Sequence, residues 1–234
     1  MPKDRKADCL EDMKMRILTL DIAPGSDLDE ASLCERYGMS RTPMREIFQR
    51  LGGEGYAHLA QNRGAKVASM DLPVMRMFFQ TAPVIYASVA RLAAEQCQVA
   101  DLTELQTVQQ KFRAATDAGD AGKAALLNHR FHLQIGEMAR NPYLLPSLKR
   151  MLIDHTRLSQ TFYRPASDEE VARVAKAVDQ HDAMIAAFEA RDAERAVDLT
   201  IDHWNLSRDR LERFVTPDPL PIDVLTERGG AHAV

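Results

Sequence analysis

At 234 residues the chain is long enough for one large domain or two modest ones. Its apolar fraction of 45% and charged fraction of 27% are ordinary for a globular protein, and its net charge of −4, taken alone, speaks against nucleic acid as a partner. Cys9, Cys34 and Cys97 are scattered without a C-x-x-C pair, the N-terminus lacks an apolar signal region, and no apolar run approaches the roughly 20 residues that span a bilayer, so a cytoplasmic protein without disulfides or a membrane segment is expected.

Leu10, Met13, Ile17 and Leu20 recur at helical spacing and predict a helix over about 6–20. Pro24-Gly25 then marks a turn. "LDEASLCERYG" reads as a short helix with Ala31, Leu33 and Cys34 inward, closed by Gly38. A few residues later Thr42 is a suitable N-cap and Pro43 a suitable first helical residue. The helix they open buries Met44, Ile47, Phe48 and Leu51, and Gly52, Gly53 and Gly55 are expected to stop it. "YAHLA" and "AKVAS" flank "QNRG", a strand–turn–strand pattern.

Helix, helix-turn-helix and hairpin in that order make a winged helix, whose second helix enters the major groove of DNA N-terminus first. Charge placement agrees. Residues 36–66 hold six basic side chains against Glu46 and Glu54, a local net charge of +4 that leaves −8 for the rest of the chain. The expected DNA contacts are Arg36, Arg41, Thr42, Arg45 and Arg50, with Asn62, Arg63 and Gly64 at the wing. Arg45 and Arg41 are placed for base edges, since arginine bridges guanine O6 and N7 with two hydrogen bonds, and Arg63 for a phosphate or the minor groove. A single short recognition helix offers few base contacts, so a homodimer on a palindromic operator is expected.

"PGSDLDEASLCERYGMSRTPMREIFQRL", the following "GEGY" and "QNRG" together resemble the winged-helix domain of the GntR family of bacterial transcription regulators. The resemblance spans about residues 10–69, and Ser40-Arg41-Thr42-Pro43 with Arg45-Glu46 is its most specific part. Two departures stand out: Gly52-Gly53 follows the recognition helix, and Gln61 occupies a position where a wing proline is common.

From Asp71 onward the periodicity is helical, with helices expected over about 71–98, 102–117, 121–140, 143–163, 167–190 and 193–214, Pro83 lying inside the first. The expected fold is thus mainly α: a winged helix-turn-helix over 1–70, an all-α antiparallel bundle over 71–215, and a disordered tail over 216–234. In the fifth of these helices Val171, Val174, Val178, His181, Ile185 and Phe188 step by three and four, putting His181 in a core slot. The same stepping places His203 with Ala196, Leu199 and Leu206, and His132 with Asn128 and Ile135. One such histidine is ordinarily a hydrogen-bonded core residue. Three together point to a metal, because buried imidazoles cost desolvation unless their lone pairs are used. His155 has no partner legible in the sequence.

"NHRFHLQIGEMARNPYL", "DQHDAMIAAFEARDAERA" and "DHW" resemble the FCD ligand-binding domain of the FadR-type branch of the same family. The resemblance implies one Asp and three His as metal ligands, at positions held here by Asn128, His132, His181 and His203, and a small carboxylate as effector. Asn128 for Asp removes an anionic ligand, and the Arg and Glu common on the first bundle helix align with Ala82 and Tyr86. Imidazole ligands favour zinc or nickel. The resulting reading is a non-enzymatic transcription regulator, a repressor controlled by an effector near a metal. Two alternatives stay open: a metal-free site in which Asn128 and the histidines form a hydrogen-bond network, and a metal-dependent hydrolase, against which no acid stands at general-base spacing.

Overall fold

A computed structural model describes residues 5–59 and 64–215. The expectations for Asn62, Arg63 and the tail over 216–234 fall outside the described residues. The helix α1 (Arg5–Leu18) is followed by β1 (Asp27–Leu28), α2 (Glu30–Tyr37), α3 (Arg41–Glu54), β2 (Ala57–Leu59) and β3 (Ala65–Val67). Leu10, Met13 and Ile17 of α1 meet Met44, Ile47, Phe48 and Leu51 of α3 in one apolar core. The two buried stripes account for why these amphipathic segments hold as helices.

Four local expectations are corrected. The recognition helix begins at Arg41 with Ser40 as N-cap, rather than at Thr42, so Pro43 is its third residue. That position also lacks an intrahelical partner for its N–H, so proline is tolerated there. The helix runs through Gly52-Gly53 and stops at Glu54, where Gly55 adopts φ +88°. The wing is a three-stranded antiparallel sheet in the order β1-β3-β2, because the turn after Pro24-Gly25 continues into a two-residue strand pairing Asp27 with Lys66 and Leu28 with Ala65. Ala31 and Val171 are exposed rather than inward.

The second half is six helices: α4 (Leu72–Gln96), α5 (Val99–Asp117), α6 (Ala121–Met138), α7 (Leu144–Phe162), α8 (Asp168–Glu189) and α9 (Ala193–Val215). Asp71, Asp120 and Ser167 cap α4, α6 and α8 by accepting from the backbone N–H three residues on. The helix α4 is continuous through Pro83 and packs along α9, while α5 packs on α6, α6 on α7 and α8 on α9. Phe131, Ile135, Met138, Leu148, Leu152, Met184 and Phe188 fill the space between them.

The helix α7 also faces the winged helix. Arg157, fully buried, donates to the Ala68 carbonyl (2.7 Å) and pairs with Asp154, while Gln160 donates to the Leu18 carbonyl (3.2 Å). A Cβ on Gly55 would lie 2.3 Å from Arg150 Cδ, so Gly55 both ends α3 and lets α7 approach.

Candidate nucleic-acid interface and metal centre

On α3 the buried face is apolar and the opposite face carries Arg41, Thr42, Arg45 and Arg50, all exposed. The side chains of Arg41 and Arg45 are 72% and 64% exposed, which leaves their guanidinium groups accessible to a partner. Glu30 at the start of α2 pairs with both: its carboxylate lies 2.8 Å from Arg45 Nε and 3.5 Å from Arg41 Nε. The two acids of the basic stretch are answered from α1, Glu46 by Lys6 and Glu54 by Lys14. Arg50 lies 3.9 Å from Glu54, and the Arg36 guanidinium 5.9 Å from the Tyr37 ring centre. Gly64 has a packing reason of its own, since a Cβ there would come within 2.5 Å of the Leu28 carbonyl where β1 meets the wing.

In the helical half α6, α8 and α9 bring His132, His181 and His203 together, with their ligating nitrogens within 4.8 Å of one another. All three are buried, as is Asn128 one turn before His132. His181 stacks on Phe131 at 3.8 Å between ring centres, 7° from parallel, which fixes its plane. Its tautomer follows from Gln109 on α5. The Gln109 amide nitrogen donates to the Val178 carbonyl (2.9 Å) and to Asp182 Oδ1 (3.0 Å), so the amide oxygen faces the imidazole and accepts from His181 Nδ1–H (3.0 Å). Gln180 Oε1 lies 3.1 Å from His203 Nδ1, and with the oxygen on that side it accepts from Nδ1–H. Both Nε2 atoms therefore carry lone pairs, and they face each other at 3.3 Å.

Two lone pairs at that distance repel unless a cation lies between them. Two imidazole nitrogens bound tetrahedrally to one zinc, at 2.0–2.1 Å each, would stand roughly 3.3 Å apart. His132 Nε2 and, one turn earlier on α6, Asn128 Oδ1 are buried with no hydrogen-bond partner, so two further polar atoms are unsatisfied on that helix. The donor set fits a borderline divalent metal. Burial holds His132 and His181 well below the usual imidazole range, with neighbouring imidazoles adding to it, and lowers His203 to about 4. The rings are neutral at physiological pH, as ligands must be.

The sequence reading missed His155, Tyr86 and Trp204. His155 on α7 lies 5.1 Å from His132 between ring centres, and its Nδ1 is 2.7 Å from the Tyr86 hydroxyl. Trp204 packs on both Tyr86 and His155, and its indole N–H is buried without a partner. His129 turns to the Thr156 hydroxyl at 2.7 Å. Ala82 and Tyr86 of α4 are both buried.

Comparison with known proteins decides the family. Residues 7–67 match the model for bacterial regulatory proteins of the gntR family, and residues 84–206, more than half of the chain, match the FCD domain. The chain belongs to the FCD-carrying GntR regulators. It is 27% identical over 215 residues to the Glc operon transcriptional activator of Escherichia coli K12, covering 80% of this chain and 85% of the activator. It is 25% identical over 217 residues to the galactonate operon transcriptional repressor of the same organism, covering 82% and 90%. The solved structure of E. coli McbR/YncC superposes with a TM-score of 0.77 at 21% identity, covering 91% of this chain and 99% of that one. This GntR protein is a transcription regulator, not an enzyme; its winged helix binds DNA and its FCD domain binds a small-molecule effector.

Proposed function

We propose that this GntR regulator is a metal-dependent repressor whose effector is a small carboxylate. The observation that carries the metal is the gathering of three buried histidines: the facing Nε2 atoms of His181 and His203, with His132 in the same cluster and its Nε2 and the Asn128 Oδ1 both buried without a partner. These four residues would hold one zinc or nickel ion, which would supply a Lewis-acidic site with positions open to an anionic oxygen. Asn128, neutral where related domains have Asp, leaves one more positive charge on the ion for the effector to neutralise. The indole N–H of Trp204 is a second feature in favour of an acceptor-rich ligand.

The winged helix, 1–70 in this reading, would read a palindromic operator as half of a homodimer built by the bundle over 71–215, in the cytoplasm. Arg41, Thr42 and Arg45 would meet base edges, Arg36 and Arg50 phosphates, and Asn62, Arg63 and Gly64 the wing contact. No described helix is long and apolar enough to cross a membrane. The test is to select bound duplexes from random DNA, then screen small carboxylates for release in the presence and absence of zinc. Recovery of a two-fold symmetric site, released by a carboxylate only when metal is present, is the expected result. Enhanced binding on adding the carboxylate would make the protein an activator or co-repressed regulator, and release that ignores a chelator would remove the metal from the account.

A further inference from the structure

Glu30 is the first residue of α2, whose first turn is capped by Asp29, accepting from both the Ser32 N–H (2.8 Å) and the Ser32 hydroxyl (2.6 Å). The Glu30 side chain is 16% exposed, sunk between two arginines that stand well out into solvent. Its two oxygens are divided between them, Oε2 to Arg45 and Oε1 to Arg41, and on each arginine the contact is Nε. With the contact made at Nε and both side chains mostly exposed, each arginine still has guanidinium surface open to a base edge. Glu46 and Glu54, the acids within the basic stretch, pair with lysines of α1, and among the described ion pairs Glu30 is the acid that both reading arginines share.

We propose that Glu30 is a positioning residue for sequence reading: it holds Arg41 and Arg45 as one oriented pair and so sets discrimination rather than raw affinity. The proposal rests on the assignment of α3 as the DNA-reading helix. Two effects follow from the geometry. Long arginine side chains lose much rotamer freedom when they are ordered, and ordering them in the free protein removes that cost for the one arrangement the pair already has. A carboxylate beside two cations also offsets part of their attraction for phosphate, which is the sequence-independent part of binding. Both effects favour correct sites over incorrect ones.

The experiment compares wild type, Glu30→Gln, Arg45→Ala and the double variant on the duplex selected by the wild type and on a scrambled duplex, over a salt series. Glu30→Gln is isosteric, and its melting temperature reports that folding is intact. It should bind scrambled DNA more tightly with a steeper salt dependence, and its preference for the selected duplex should fall about tenfold, the size of one lost base discrimination. In the Arg45→Ala background the same change should have little further effect on preference. Equal weakening on both duplexes, or an undiminished effect when Arg45 is absent, would make Glu30 a merely structural residue and overturn the proposal. Absence of any preference in the wild type would instead overturn the DNA-reading assignment itself, and this inference with it.

Discussion

Acidifying the chelator-treated protein from about pH 7.5 to about pH 5.5 should remove a large part of its stability, because unfolded histidines titrate near 6.5. Burial lowers His155 to about 3 and His129 and His203 to about 4, and holds His132 and His181 well below the ordinary value. All five folded values lie below the unfolded one, so the unfolded chain binds more protons throughout this window. Stability is therefore full above about 6.5 and is lost as pH falls toward the folded values. At about pH 5.5 each unfolded imidazole is roughly nine-tenths protonated, worth about 1.4 kcal/mol, and five together give roughly 7 kcal/mol. A whole domain is typically stable by about 5–15 kcal/mol, so the loss is visible. Urea unfolding followed by helical circular dichroism at the two pH values measures it, and His203→Asn should shrink the difference by about 1.4 kcal/mol, the share of one imidazole. A total loss under about 2 kcal/mol would mean that the imidazoles reach water or carry charge in the folded protein, and the buried-cluster reasoning would fail.

Arg45→Ala should cost about 1–3 kcal/mol per half-site on the selected duplex while leaving the melting temperature unchanged, since Arg45 is exposed and outside the α3 core; equal discrimination in a competition gel shift would remove it from base reading. Asp154→Ala strands the buried Arg157 and should destabilise the fold by about 3–5 kcal/mol, read as a drop in denaturation midpoint; a loss under about 1 kcal/mol would show that Arg157 is solvated. Asn128→Asp should tighten zinc at least tenfold in a chelator competition, by giving the ion an anionic ligand, and should lower the stability of the chelated protein; looser zinc would mean that Asn128 is not a ligand.

Much of the architecture is written in the periodicity. The stepping of Val174, Val178, His181, Ile185 and Phe188 and the short polar breaks place α8 to within a residue of where it lies, because this helix buries one main stripe. Local punctuation was less dependable. Gly52 and Gly53 look like a stop, at about 1 kcal/mol each against a helix, yet the apolar face of α3 carries the helix past them. The two-residue β1 has no pattern of its own and exists because β3 offers it a partner. In the site, the three histidines on apolar stripes were legible, whereas Gln109 and Gln180 look like surface amides until the fold places them on the imidazoles. His155 could have been found: Leu148, Leu152, His155, Ser159 and Phe162 step by four and three like the other histidine stripes, but the flanking Asp154, Arg157 and Gln160 mask it. Those polar residues are buried because α7 faces the winged helix as well as the bundle, a relation between distant segments that local pattern does not carry.

The central claim is the metal, and metal content tests it most directly. Protein incubated with excess zinc or nickel, desalted and analysed by mass spectrometry should carry one ion per chain in the wild type and none in His181→Ala or His203→Ala. A wild type without stoichiometric metal, or variants that retain it, would contradict the assignment and leave Asn128 and the three histidines as a hydrogen-bonded core.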